Sequence, residues 1–319
     1  MADTPFVQSA ALTSIAVMYR NPALIADAVL PRIPVALPTF EYTAFPIGTS
    51  FTVPDTRVGR MGRPPQVIIQ GDKVAAATGQ FGLDIPVPNR DQRLANAMRA
   101  AFPDAARSQN PQGMAATMAT DLLLLDREVR VANLVFALNT YLAAQRATLS
   151  GTSQWSDYVN SNPINAILGA MDTMIVRPNR MVIGQAAWTV VRQHPRVVSA
   201  VLGNAGTSGS VTRQQLADAL ELESIEVGQG WVNTARPGQA ANLQRVWGKH
   251  CALIALNPNA GPDGLPSFGY TAQWGGRLGG TIQDPNLGLE GGQMVRVGEE
   301  LVELVTAQPA GYFFQNCVA

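Results

Sequence analysis

The clearest periodicity in the chain begins at Met118, after which Leu122, Leu125, Val129, Ala132 and Phe136 recur at steps of four, three, four, three and four. That spacing forms one apolar stripe on an α-helix. Asp121, Asp126, Glu128 and Arg130 largely avoid the stripe, and Leu123, Leu124, Leu134, Val135 and Leu138 add a second apolar face. The pattern predicts a helix of about 30 residues, roughly 45 Å long at the α-helical rise. Two apolar faces make it a spine, with a sheet on one side and other elements on the other. A coiled coil is the rival reading, weakened where the stripe fades into Asn139, Thr140 and Ala143.

Upstream, residues 1–38 read as an arm. Leu12, Ile15 and Tyr19 have helical spacing within Phe6–Tyr19, and Pro22 opens a short helix that Pro31 ends. The following PRIPVALP is extended and poorly suited to a central strand, because proline donates no backbone hydrogen bond. Residues 39–88 read as a long β-hairpin. FEYTAF alternates with period two, FTVPDTRVGRMGRPP is a loose tip, and QVIIQGDKVAAATGQFGLDIPVP returns. The tip carries Arg57, Arg60 and Arg63 against Asp55 alone, so it is either a solvated loop or a flap that meets an acidic neighbour. An excursion with so few large apolar residues cannot bury itself, which favours the flap.

Downstream of a short helix, DQRLANAMRAAF, and the spine, residues 160–285 alternate helix and strand. Helices are expected in SNPINAILGAMDTMIV, with Asn162 as cap and Pro163 in the first turn, in Gln185–His194 up to Pro195, in RVVSAVLG and in VTRQQLADAL. Strands are expected at Met181–Ile183, SIEVG and KHCALIAL, the last a nearly unbroken apolar run. NPNAGPDGLPSFG and GGRLGGTIQDPNLGLEGG read as loops. MVRVGEELVELV reads as a strand, and PAGYFFQNCVA closes the chain on an apolar edge. No internal repeat is present.

Composition changes this picture in one respect. Of 319 residues 46 % are hydrophobic and only 14 % charged, with zero net charge. A chain this long usually carries about a quarter charged residues. Either much of its surface is covered by other copies, or the source favours Ala, Gly, Pro and Arg. Lys73 and Lys249 are the two lysines among 23 basic residues. There is no basic tail or cluster for tight binding to nucleic acid. Cys251 and Cys317 define neither a disulfide framework nor a zinc site, and reduced thiols are the default. The N-terminus lacks signal-peptide features, and no apolar run reaches membrane-span length.

Candidate chemistry is sparse. RPNRMVIGQAAW, residues 177–188, leads a strand through Gly184 into a helix, as phosphate-binding turns do. It lacks both the Lys-Ser/Thr of a P-loop and the spaced glycines of a dinucleotide site. Neighbouring His250 and Cys251 would point to opposite faces of a strand and cannot act as base and nucleophile together. His194, before Pro195, occupies a common capping place. Two histidines make a metal site unlikely on composition. Glu221, Glu223 and Glu226 read as a solvated helix end. Trp155, Trp188, Trp231, Trp247 and Trp274 read as core or interface, lacking the interleaved basic residues of a base-stacking platform. No catalytic residue, cofactor or metal is expected.

The order of pieces carries a resemblance. NPALIADAVLPRIPV, FTVPDTRVGR, RPNRMVIGQAAWTVVRQHPRV, VTRQQLADALELESIEVGQGWVN, VWGKHCALIAL and VRVGEELVELVTAQPAGYFFQNCV together resemble the major capsid proteins of tailed bacteriophages, the fold named after phage Hong Kong ninety-seven. The similarity covers nearly the whole chain. No single motif is highly specific, but their order is. It implies an α+β phage major capsid fold: an N-terminal arm (1–38), an E-loop β-hairpin (39–88), a P-domain with a long spine helix (89–159), a mixed α/β A-domain (160–290) and a closing strand returning to the P-domain (291–319). It further implies hexamers and pentamers forming an icosahedral head around double-stranded DNA, located in the virion and assembled in host cytoplasm, with no enzymatic role. Expected partners are other copies, a separate scaffolding protein, a portal, possibly a cement or decoration protein, and packaged DNA through weak non-specific contact, but no membrane. Asp55, Arg57, Arg60, Arg63 and Lys73 are the expected inter-subunit contacts. Some members join an E-loop lysine to an asparagine of a neighbour; here that pair would be Lys73 and Asn316, though no catalytic glutamate is identifiable. An encapsulin-type compartment keeps the fold and changes the contents, and a soluble α/β enzyme is a remote third reading.

Overall fold

The computed structural model of the chain describes residues 6–44, 53, 55–58, 60, 62–64, 66, 72–101, 110–203, 209–261 and 267–319. The arm contains β1 (Val7–Gln8), α1 (Ala10–Met18), α2 (Ala26–Val29) and β2 (Arg32–Val35). A ribbon of β3 (Thr39–Ala44) and β4 (Asp72–Ala77) follows, then β5 (Gly79–Pro88), α3 (Asn89–Ala101) and the spine helix α4 (Pro111–Val135). The next elements are β6 (Arg146–Thr148), α5 (Pro163–Thr173), β7 (Arg180–Gly184), α6 (Gln185–Val191), α7 (Pro195–Leu202), α8 (Arg213–Ala219), β8 (Ser224–Gly228), β9 (Trp231–Asn233) and β10 (Leu243–Arg245). The chain ends with β11 (Cys251–Ile254), β12 (Gly269–Asp284), β13 (Gly292–Val305) and β14 (Gly311–Gln315).

Two five-stranded sheets organise these elements. In the first, β13 lies between β12 and β5, while β1 and β2 share the other edge of β12. The second runs β6-β14-β11-β7-β8, and its hydrophobic strands are covered on both faces. One face packs on α5 to α8 through Trp188, Val198, Leu216 and Leu253. The other packs on the end of the spine and the arm through Val135, Trp247, Phe313 and Leu30. Asn162 caps α5, its side chain accepting from Asn165 N, with Pro163 in the first turn as the sequence predicts.

Three expectations are corrected. The spine is 25 residues long and gives way after Val135 to short 3-10 turns. Its buried face is also not the large-residue stripe. Met118 and Leu122 are exposed, while Ala115, Ala116, Ala119, Leu123, Val131 and Val135 face inward. Small alanines let the helix lie close to α1 and to Val295 and Val297 of β13, where methionines would hold them apart.

Second, the hairpin is shorter than residues 39–88. Pairing of β3 with β4 stops at Thr39 and Ala77, and β5 turns away to pair with β13 from Gly79↔Leu301 to Pro88↔Gly292. Third, the glycine-rich stretch expected as a loop forms much of β12, so residues 269–284 sit in the first sheet rather than in the 160–290 unit. The glycines serve close approach. A Cβ on Gly280 would lie 2.4 Å from Val7 O, and one on Gly279 would lie 2.9 Å from the backbone of Leu12. The arm crosses β12 at that point. The proline-rich arm segment is extended, as expected, and joins the sheet as β2 only along an edge, where Pro34 is tolerated.

A buried polar cluster ties the arm to the spine. Glu128, wholly enclosed, accepts hydrogen bonds from Ile25 N at 2.9 Å, Ala26 N at 2.7 Å and Trp247 Nε1. Beside it Arg127, 1 % exposed, donates to Leu30 O and Thr271 Oγ1, each at 3.0 Å, and to Asp27. Asp27 also accepts from Arg32 Nε at 2.8 Å; Arg32 reaches Glu299 at 2.7 Å, and Arg277 reaches Glu299 at 2.9 Å and Ala16 O at 2.7 Å. Burial pushes the Glu299 and Asp27 carboxyls up, but the adjacent arginines more than offset it and hold both below their ordinary range. Glu128 has no cation hydrogen-bonded to it, so burial prevails over its three donors and its carboxyl is raised.

Both histidines are held neutral. His194 Nδ1 accepts from Arg196 N at 3.2 Å, capping α7, and His250 Nδ1 accepts from Asn316 N at 2.9 Å. Burial, aided by Arg196 and Lys249 respectively, lowers both below the ordinary 6.5.

Two predictions follow from this packing. Glu128→Ala strands three buried donors and leaves Arg127 less balanced, so it costs about 3–5 kcal/mol. Urea denaturation of the unassembled subunit measures it; a change below about 1 kcal/mol would remove the cluster's assigned role. Because both imidazoles have depressed values in the folded chain, stability is full above 6.5 and falls as pH drops from there towards the folded values, where the unfolded chain takes up protons first. Denaturation midpoints between pH 8 and 5 test this, and His194→Gln should flatten the slope.

Candidate assembly surface

The geometry turns first against a reactive centre. Gly184 is not a ligand cradle: a Cβ there would lie 2.2 Å from Gly248 O and 2.6 Å from Trp247 O, so glycine is required by packing. Cys251 and Cys317 are both fully buried, and burial pushes both thiols up, away from the nucleophilic thiolate. His194 Nε2 stands 3.1 Å from Ser161 Oγ, a contact that resembles a base and its nucleophile. Its Nδ1 is already an acceptor, so Nε2 carries the proton and donates to Ser161, whose hydroxyl donates to Asp157 O at 2.7 Å. The imidazole therefore cannot take a proton from that serine. Of the tryptophans, Trp155, Trp188 and Trp247 are core, while Trp231 and Trp274 are exposed.

The exposed features are all suited to contact with another macromolecule. The ribbon of β3 and β4 projects with Lys73, Val74 and Ala75 exposed, and two strands alone are marginally stable in water. Its base is fixed where Thr78 N donates to Pro38 O at 2.8 Å and Thr78 Oγ1 to Glu300 at 2.6 Å. Lys73 Nζ lies 3.5 Å from Glu41, both well exposed. At the tip, Asp55, Arg57, Arg60 and Arg63 are exposed, and Asp55 Oδ1 accepts from Arg57 N at 3.0 Å. Among the described residues no acid pairs with the three arginines. Residues 45–52, 54, 59, 61, 65 and 67–71 of the expected loop lie outside the described residues. Asn316 is half-buried, with a left-handed φ of 56°, and sits at the far end of β14 from the ribbon's sheet.

Two further surfaces were not legible in the sequence. A cleft of about 1030 Å³ opens between arm and spine, lined by Arg20, Asp27, Arg32, Leu124, Arg127 and Arg277. A row of Met114, Met118 and Leu122, each more than half exposed, runs along the outer side of the spine. The periodicity that marked Met118 and Leu122 was correct about the helix and incorrect about which side is inside. The Asp-Arg-Glu run directly after four leucines was the available signal for the buried charge cluster.

No family model matches the chain. It is 45 % identical over its full length, and over the full length of the relative, to the major capsid protein of Pseudomonas phage JBD67. It is 24 % identical to the major capsid protein of Burkholderia phage BcepMu, covering 96 % of this chain and 95 % of that one. Among solved structures, a phage-related protein of Bordetella bronchiseptica superposes with a TM-score of 0.71 at 21 % identity, covering 98 % of each chain. The mixed helix and sheet architecture, the two sheets bridged by a spine helix, and the projecting ribbon are thus those of a known structural class. With nearly half its residues shared along the entire length of a named relative, the chain belongs to the family of bacteriophage major capsid proteins.

Proposed function

We propose that copies of this chain close into an icosahedral phage head of hexamers and pentamers around double-stranded DNA. The structural role follows from the family: a major capsid protein associates with itself and is part of the virion. The full-length similarity to the Pseudomonas phage protein carries this reading, and favours a phage head over an encapsulin-type compartment. No helix among the described residues is long and apolar enough to cross a membrane.

Within that reading, residues 1–38 are the arm that braces one neighbour and residues 39–77 the E-loop that lies over another. The first sheet, α3 and the spine form the P-domain, and the second sheet with its helices the A-domain. The exposed arginines, which meet no acid among the described residues, support contact of Asp55, Arg57, Arg60, Arg63 and Lys73 with a neighbouring subunit. Zero net charge supports only weak contact with packaged DNA, which leaves the DNA free to move during packing. A scaffolding protein and a portal complete the assembly, with a decoration protein as an optional addition.

Expression of the chain, alone and with its neighbouring gene products, followed by negative-stain electron microscopy, tests the assembly. Closed shells or hexamer sheets are the expected result; a uniform monomer under both conditions would sink the reading. Charge reversal at Arg60 is expected to weaken shells, visible as disassembly at lower urea or lower salt than the unaltered shells require, while circular dichroism of the subunit stays unchanged. Unaltered assembly yield in Arg60→Glu would remove the tip from the interface.

A further inference from the structure

The turn joining β12 to β13 displays a leucine that touches nothing: Leu289 is 100 % exposed. Single exposed leucines are ordinary, but this one stands on a pinned turn. Asn286 N donates to Asp284 Oδ1 at 2.9 Å, Asn89 N to Gly291 O at 3.0 Å and Asn89 Nδ2 to Glu290 O at 2.9 Å. Glu290 also pairs with Arg93. The side chain is therefore presented outward at a fixed place, with little conformational freedom left to lose on contact.

At the same end of the molecule lies an apolar groove of about 500 Å³ between β5, α3 and the spine, lined by Ile85, Leu94, Ala95, Pro111, Met114 and Met118. Leu94, Met114 and Met118 are 59 %, 57 % and 58 % exposed. Such a volume holds a drug-sized molecule, and so one aliphatic side chain with its turn. The charges complement each other. Glu290 is held by Arg93 of its own chain and Asp91 lies at the groove's edge, which leaves Asp284 on the turn and Arg90 on α3 as the opposite charges without an ion pair among the described residues.

We propose that Leu289 of one copy seats in the groove formed by Leu94, Met114 and Met118 of a neighbouring copy, with Asp284 of the turn against Arg90 of α3. The inference rests on the reading that copies assemble, and assigns one contact within that assembly. Knob and groove are different patches, so the contact is head-to-tail and propagates around a ring or across a lattice. Methionines in the groove adapt to small changes of approach angle, which a surface built from both hexamers and pentamers requires.

Two experiments on the full chain test it. Leu289→Asp is expected to weaken association about 10- to 100-fold per contact, seen as loss of shells in sedimentation and microscopy, with circular dichroism unchanged. The pair Leu289→Cys and Met114→Cys is expected to give an inter-chain disulfide ladder on non-reducing gels after mild oxidation. Each single variant serves as a control, the native Cys251 and Cys317 being buried. Assembly of Leu289→Asp at undiminished yield, with no ladder from the double variant, overturns the contact while leaving the capsid reading intact. Loss of assembly without a ladder overturns the assignment of this groove. An unaltered chain that never associates overturns the assembly reading, and this contact with it.

Discussion

Glu128 is the constraint on which the arrangement turns. Its carboxylate receives two backbone donors from the start of α2 and the indole of Trp247, so one side chain of the spine holds both the arm and the loop leading into β11. Burying a carboxylate is costly unless its lone pairs are filled, and here they are filled only when arm, spine and second sheet are all in place. Arg127 next to it imposes the same condition through Leu30, Thr271 and Asp27, and so engages β12 of the first sheet. Arginines 32, 127 and 277 pair with Asp27 and Glu299, while Glu128 is held by its three neutral donors. Hydrophobic burial would accept many slightly different dockings of the arm. The cluster accepts one.

That specificity suits a protein whose extended parts serve other molecules. The arm crosses β12 over Gly279 and Gly280, where a side chain of any size would separate them. The ribbon buries almost nothing of its own, and its tip holds exposed arginines. Rigid roots and exposed ends are the complementary halves of one design: the root fixes where the end is presented.

Much of this was legible in the sequence. The apolar runs at Met181–Ile183 and around Cys251 are buried strands, Asn162 and Pro163 start a helix, and the order of elements matches the family. The failures have physical reasons. Hydrophobic periodicity ranks large residues as inward, but the spine approaches its sheet through alanines and leaves Met114 and Met118 outside. Glycine-rich sequence reads as loop, yet in β12 the glycines answer a crossing chain far away in sequence. The cluster around Glu128 joins residues about a hundred positions apart, so the Asp-Arg-Glu run after four leucines could mark charge beside a buried stretch but not name its partners. The proposed surface residues at the tip were visible because charge without a nearby opposite stands out even in one dimension; Leu289 was not, because a leucine in a glycine-rich turn has no period to break.

The junction at Thr78 has a mechanical consequence. One residue separates β4 from β5, so the outward ribbon and a strand of the first sheet are nearly one continuous tether. A pull on the tip travels along the backbone into β5, whose pairing with β13 runs its whole length. Tension along that axis is shared among many hydrogen bonds at once instead of opening them singly from one end.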